Sequence, residues 1–388
     1  MRILVAAERL GHAGGMERYL DIVLRELAAR GATVHVLTRE PDAAPDGVGV
    51  QRVTWAGEHD APDDAARAET ARALAAFAPD VAVAHNVMDA GVVEALRGAA
   101  RLAYHVHDHR PFCPNGDRVF PRSGRICTQP LGVPCAVNAL LEGCAYGPRP
   151  ATIALIARRR RLRDAIAAAD ATIVASRYVA ERAARSGVAV ERIAEIPLPL
   201  PDDAYADSFE PSSSRTVAFA GRVVTQKGLD ALVRAVAHIA PGHRPRVRAL
   251  GDGPALGDVR AEAAALGVEL DAPGAVTPDV VRAAFDDAAL VVVPSRWAEP
   301  FGYVGIEAFA RARTAVAFDV GGVRAWLADG VNGVAVGAGD ERALGDAIAS
   351  LLDDDTRRAQ LARRARADAE RFRAVPVIDA LLSAYRSG

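Results

Sequence analysis

Short apolar runs alternate with helix-period segments along this chain. Residues 2–7 form an apolar run, a glycine turn follows at Gly11, Gly14 and Gly15, and Tyr19, Ile22, Val23 and Leu27 then recur at helical spacing. Gly31 closes that helix and residues 33–38 are strand-like again, so the opening reads as β–α–β on a buried parallel sheet. The runs 81–84, 102–106 and 171–174 continue the pattern and predict a doubly wound first domain. A second β–α series has strands over 216–220, 247–250, 290–293 and 315–318, each followed by a Gly or Pro turn and a helical stretch. Between the two series, residues 197–214 (PLPLPDDAYADSFEPSSS) have no periodicity and the composition of a linker. The predicted class is α/β with two Rossmann-like domains. The first spans 1–200 with a cysteine-containing insertion at 110–150, a linker covers 201–214, the second domain spans 215–370, and a helix over 371–388 returns to the first domain.

Composition agrees with two cores. The chain has 388 residues, 51% hydrophobic and 25% charged. A formal net charge of -2 excludes a phosphate-tracking nucleic-acid binder, which would need a large cationic surplus. The first apolar run is too short for a signal segment and no later run approaches bilayer length, so the expected location is the cytoplasm. Of the 47 Lys and Arg residues, Lys227 is the sole lysine. An ammonium is a compact point charge and a guanidinium a planar fork, so a lysine kept in an arginine-biased chain points to a site that needs the ammonium.

Open parallel sheets bind ligands beyond the carboxyl ends of their strands, so the loops there carry the candidate chemistry. The strand ending at Ala220 runs into GRVVTQKG, which sets Arg222 and Lys227 just before a helix near Leu229. Two cations beside a helix N-terminus suit a diphosphate. The strand at 290–293 leads into PSRWAEPFGYVGIEAFA, with Glu299 in the loop and Glu307 inside the next helix. These carboxylates can accept hydrogen bonds from sugar and ribose hydroxyls, while backbone N–H groups from Phe301 to Val304 face a ligand at the helix start.

EPFGYVGIE resembles the E-P-F-G-x-x-x-x-E signature of the family-four retaining glycosyltransferases, and GRVVTQKG, LGDGP and DVGGVRAWLADGVNG resemble further segments of that family in the same order. The resemblance implies the GT-B fold, two Rossmann-like domains facing across a cleft, with an acceptor-binding first half and a donor-binding second half. It implies a transferase that moves a sugar, with retention, from a nucleotide-sugar (a UDP-sugar by preference) to a small-molecule, glycan or lipid-linked acceptor. Arg222 and Lys227 would hold the donor diphosphate, Glu307 the ribose and Glu299 the transferred sugar. Gly251, Phe301, Gly302, Tyr303 and Val304 would add donor contacts. In the first half, GGMER resembles the family's glycine loop, where Gly15 lets backbone approach the donor phosphate. HVHDHRPFCP resembles its His-Asp segment, which makes His107 the candidate beside the reacting carbon. Glu17 and Asp108 are the candidate acceptor contacts, Asp108 alternatively orienting His107. Where the family carries E-A-x-A-x-G-x-P, this chain has Glu307, Ala308, Phe309, Ala310 and then RART, read with Arg313 and Thr314 in place of Gly and Pro; Arg324 lies where a Glu usually follows the paired glycines.

Catalysis on this reading needs no cofactor, because the two cations stand in for a divalent metal. Three other classes stay open: a nucleotide-sugar epimerase of GT-B fold, a non-catalytic sugar-nucleotide binder, and an NAD-dependent oxidoreductase, for which the G-x-G-x-x-G spacing is missing. Cys113, Cys127, Cys135 and Cys144 are all the cysteines and fall in one irregular stretch. They read either as a structural zinc site or as free or redox-active thiols; no C-x-x-C pair is present, and disulfides do not fit a reducing cytoplasm. The arginines 158–161 and 163 read either as a solvated helix face or as a peripheral contact with anionic lipid on the inner face of the cell membrane.

Overall fold

The computed structural model describes residues 1–11, 14–41, 44–55, 64–144, 149–206 and 212–387. It divides into two compact units, Met1–Pro199 with Ala374–Gly388, and Leu200–Arg373.

The first unit holds β1 (Arg2–Leu10), β2 (Thr33–Pro41), β3 (Gly49–Arg52), β4 (Val81–His85), β5 (Arg101–Val106), β6 (Ala171–Val174) and β7 (Ile193–Glu195). They form one sheet in the order β3-β2-β1-β4-β5-β6-β7, and every neighbouring pair is parallel. Helices cover both faces, so the central strands read as unbroken apolar runs. The order in which strands are added reverses between β1 and β4, and a crevice opens beyond strand ends at such a switch point. Helix Gly15–Ala29 follows β1 and buries Tyr19, Ile22, Val23 and Leu27, the helical-period residues of the sequence, together with Leu20 and Leu24. Helix Ala374–Arg386 belongs to this unit, buries Val377, Ile378, Leu381 and Tyr385, and is tied to β5 by Arg101 Nε donating to the Tyr385 carbonyl at 3.0 Å.

The second unit holds β8 (Val217–Ala220), β9 (Val247–Leu250), β10 (Leu270–Gly274), β11 (Leu290–Val293), β12 (Ala315–Phe318) and β13 (Gly333–Val336), in the parallel order β10-β9-β8-β11-β12-β13. Its switch point lies between β8 and β11, so the two loops singled out in the sequence, GRVVTQKG and PSRWAEPFG, flank it. Within the stretch expected to be a linker, Leu200 pairs with Arg373 in a parallel bridge and Asp202–Ala204 form a 3₁₀ turn, while 207–211 lie outside the described residues.

The insertion has little core. An antiparallel bridge joins Val119 to Ile126, and helix Val133–Leu141 buries none of its residues. Among the described residues, no helix is long and apolar enough to cross a membrane.

Candidate functional site

In the second unit, close backbone packing positions the loop after β8. Gly228 has φ +74, and a Cβ there would collide with the Pro294 carbonyl, so only glycine lets this loop meet the one after β11. On its other side, Val223 N–H donates to the Asp252 carbonyl at 2.9 Å, and side chains at Gly251 or Gly253 would strike the backbone of Gly221 or Val223. The LGDGP segment thus acts by letting the cation loop nest against it. That loop ends in a 3₁₀ turn, Thr225–Lys227, immediately before helix Leu229–His238.

Lys227 Nζ donates to Glu299 Oε1 at 2.6 Å, and Ser295 Oγ donates to the same oxygen at 2.6 Å. Lys227 Nζ also stands 5.2 Å from the centroid of the Trp297 ring. Glu299 is 3% exposed. Burial is the largest influence and pushes its pKa up, but the charge of Lys227 and the hydrogen bonds from Lys227 and Ser295 outweigh it, so the net shift is downward and Glu299 is a carboxylate at neutral pH. Its backbone is clasped as well: Gly322 N–H donates to the Glu299 carbonyl at 2.6 Å, and Gly321, at φ +56, has no room for a Cβ against it. The paired glycines therefore fix the loop that carries Glu299.

The Arg222 side chain is exposed and makes no hydrogen bond or ion pair with any described residue, while its carbonyl accepts from the Val224 N–H at 3.0 Å. Phe301 is buried, and its carbonyl accepts from the Trp326 indole at 2.8 Å. Gly302, at φ +98, caps helix Tyr303–Ala310, which places Tyr303 and Val304 in its first turn. Glu307 is half-buried in the middle of that helix. The sequence reading missed a supporting network: Arg296 pairs with Asp230 at 2.6 Å, and Arg234 binds Asp230, Glu262 and Glu341, which locks the loop after β11 to helix Leu229–His238.

In the first unit, the ends of β4 and β5 carry a buried histidine group. The register pairs His85 with His105 on adjacent strands. His85 Nδ1 lies 2.9 Å from His107 Nε2, and His105 lies between two phenols, Nδ1 3.3 Å from Tyr19 Oη and Nε2 2.8 Å from Tyr385 Oη. Asn86, at φ +51, accepts from the His107 N–H at 3.1 Å, and its own buried Nδ2 has no partner. Burial holds His85 and His105 well below the usual imidazole range; it lowers His107 to about 4 against an upward pull from Asp108. All three are neutral at pH 7. Their ligating atoms lie within 4.8 Å of one another, but both nitrogens of His105 are engaged by tyrosines and the other two rings bond each other, so the group is a hydrogen-bonded chain before it is a metal site.

The remaining expected residues fall as follows. Asp108 does not orient His107: it accepts from Arg110 N–H at 2.9 Å and Arg110 Nε at 2.8 Å, and His85 is the hydrogen-bond partner of the His107 ring. Glu17 is buried under Gly14, with Arg9 Nε at 3.7 Å. Gly15 is the exposed first residue of helix Gly15–Ala29, next to positions 12–13, which are outside the described residues. Counting along Glu307–Ala308–Phe309–Ala310 corrects the reading of RART: the family glycine falls on Ala312, not Arg313. Ala312 has φ +54 and follows the helix end, where Arg313 N–H returns to the Ala308 carbonyl at 2.8 Å. Arg313 is buried and donates to the carbonyls of Phe285 and Ala312, each at 3.0 Å, and Arg324 pairs with Asp319 at 2.8 Å. Within the arginine run, Arg159 is buried, Arg161 pairs with Glu94 at 2.8 Å and Arg163 with Asp164 at 2.5 Å.

Comparison with known proteins adds the following. The family model described as Glycosyltransferase Family 4 matches residues 13–203, and that described as Glycosyl transferases group 1 matches 203–368. The D-inositol 3-phosphate glycosyltransferase of Xylanimonas cellulosilytica is 32% identical over 97% of this chain and 92% of the relative, and that of Catenulispora acidiphila 31% over 97% and 91%. Among solved structures, Anabaena HepE in complex with UDP-glucose superposes with a TM-score of 0.71 at 20% identity, covering 99% of each chain. The sucrose-phosphate synthase of Thermosynechococcus elongatus superposes with a TM-score of 0.74 at 19% identity, covering 99% of this chain and 98% of that one.

Proposed function

The chain belongs to family 4 of the GT-B glycosyltransferases, and from that premise we propose that this glycosyltransferase works with retention on a UDP-sugar donor. The observation that carries the proposal is the Lys227–Glu299 pair at 2.6 Å beside the exposed Arg222, at the switch point of the second sheet. Arg222, Lys227 and the N–H groups of Tyr303 and Val304 are assigned to the diphosphate, Glu299 to the transferred sugar and Glu307 to the ribose. Gly251 and Phe301 shape these loops.

The bond from the anomeric carbon to the phosphate oxygen breaks as the acceptor oxygen enters from the same face, and the acceptor proton passes to the departing phosphate. No side-chain nucleophile is needed. Fixed positive charge at the leaving group supplies the rate enhancement, because the field is in place before the charge develops. The first unit is assigned to the acceptor, with His107 as its neutral hydrogen-bonding group and Glu17 and Asp108 as contacts. We extend the proposal to a peripheral contact with lipid, supported by Val133, Val137, Leu140 and Leu141 exposed on helix Val133–Leu141. Sedimentation with anionic vesicles that is unchanged in Leu140→Glu/Leu141→Glu would remove that extension.

The experiment is a panel of UDP-, GDP-, ADP- and TDP-sugars offered with acceptor mixtures, with proton NMR of the product anomer. An α-linked product from an α-linked UDP-sugar is expected. An inverted product, or donor turnover to an epimer with no acceptor consumed, contradicts the reading.

A further inference from the structure

The four cysteines sit on separate pieces of the insertion, and the fold brings them to one place. Cys113 follows the 3₁₀ turn Arg110–Phe112, Cys127 ends a hairpin, Cys135 lies in the first turn of helix Val133–Leu141, and Cys144 lies just past its end. The Cys144 sulfur interacts electrostatically with those of Cys113, Cys127 and Cys135, so all four share one neighbourhood. None forms a disulfide.

Burial is the largest influence on Cys113, Cys135 and Cys144 and raises all three thiols, so thiolates here need a bound cation to hold them. Cys113-Pro114-Asn115-Gly116 is a tight turn, closed by Gly116 N–H donating to the Cys113 carbonyl at 2.9 Å, and the N–H groups of Asn115, Gly116 and Arg118 are directed at the Cys113 sulfur. The Gly132 N–H is directed at Cys135 in the same way. Arg118 is 4% exposed and holds the Cys127 and Gln129 carbonyls at 3.2 and 2.9 Å. Its backbone is at φ +52, an arrangement a non-glycine residue adopts only when its surroundings hold it there.

A second, independent observation lies next to this group. Arg182 is 6% exposed, and its buried Nε and Nη1 have no hydrogen-bond partner. Its guanidinium stands 5.4 Å from the centroid of the Tyr178 ring, and Tyr178, whose buried hydroxyl is also without a partner, interacts with Cys113 and Cys127. A buried guanidinium with unmet donors is costly unless negative charge accompanies it.

We propose that Cys113, Cys127, Cys135 and Cys144 bind one structural zinc ion. Four thiols release four protons to solvent, and four thiolates on one Zn²⁺ carry a net charge of two minus. Arg118 and Arg182 supply two plus. The thiols are more widely spaced than the histidines, since no cysteine joins a described group as tight as the 4.8 Å one at His85, His105 and His107. Metal binding closes the remaining gap, which helix Val133–Leu141, with no buried residue to anchor it, can accommodate. The zinc then provides the cross-link that apolar burial does not.

The test is elemental analysis of the purified full chain together with a thiol titration. About one zinc per chain is expected, released to a chromogenic chelator as a mercurial reagent consumes four thiols. Cys127→Ser and Cys144→Ser should lose it, and His85→Asn should keep it. Because a serine variant can fail to fold, the native chain is also reconstituted with Co²⁺, where thiolate-to-cobalt charge-transfer bands are expected. Less than about 0.2 zinc per chain with all four thiols free, a disulfide in the unreduced mass, or metal that follows His85 instead of the cysteines overturns the proposal.

Discussion

Replacing Lys227 separates two roles that its geometry combines. Its ammonium lies 2.6 Å from a carboxylate whose side chain is 4% exposed, while the lysine side chain is itself 31% exposed. Removing one partner of a buried pair costs about 3–5 kcal/mol, because the other charge stays behind without compensation. The partial exposure of Lys227 admits water, and Ser295 still holds Glu299, so Lys227→Ala should lose about 2–3 kcal/mol. Glu299→Gln removes the orphaned charge, so in Lys227→Ala/Glu299→Gln the loss should shrink to about 1 kcal/mol. Activity should behave differently. A fixed charge at the leaving phosphate is worth about 10²–10³ in rate, and the double variant cannot restore it. Urea unfolding gives the first quantity and initial rates of UDP release from a UDP-sugar the second. If the double variant recovers kcat/KM together with stability, Lys227 serves only to neutralise Glu299 and the diphosphate assignment is wrong.

Two further outcomes follow from the backbone and from the histidines. Ala312 occupies a left-handed position at φ +54, so Ala312→Gly should stabilise the protein by about 0.5–1 kcal/mol in a urea melt, and a loss of stability would contradict the strain argument. His107 is held near 4 in the fold against an ordinary value of 6.5, so as pH falls below 6.5 the unfolded chain gains a proton that the folded chain refuses. Stability should therefore decline between about pH 6.5 and 4, with about 2 kcal/mol from His107 gone by pH 5 and a further loss from His85 and His105, so His107→Gln should make the decline shallower; an equal loss of stability from pH 7 to pH 5 in the native chain and the variant, by urea melts, would show that His107 is not a source.

The alternation of apolar runs and helical stretches was enough to place the central strands of both sheets, because strands buried on both faces cannot avoid continuous hydrophobicity. The strands it missed, β3, β7, β10 and β13, are the sheet edges, and each has at least two half-buried or exposed positions that break the run. The site was legible where a motif is local, as in the Arg222–Lys227 loop and the Glu299–Glu307 spacing. The Lys227–Glu299 pair joins residues 72 apart, and His85–His107 residues 22 apart, so no local period reports them. One signal for the second pair was available. β4 ends at His85 with Asn86 next, β5 ends in His105-Val106 with His107 next, and parallel neighbours in register bring such ends together. Asp108 misled because a carboxylate beside a histidine in sequence need not bond it, and here the arginine two residues on captures both oxygens. The glycine pair at Gly321 and Gly322 was recognised by family likeness, but its physical task, clasping the Glu299 backbone, becomes visible only once the two loops meet.

The most direct test of the account is calorimetric titration of UDP into the native chain and into Arg222→Ala. The Arg222 side chain is exposed and has no hydrogen bond or ion pair among the described residues, so the variant should unfold at the same urea concentration as the native chain. A guanidinium bonded to a phosphate contributes about 1.5–3 kcal/mol, so UDP should bind the variant at least about ten-fold more weakly. Equal affinity in the two proteins would contradict the assignment of the diphosphate to this loop.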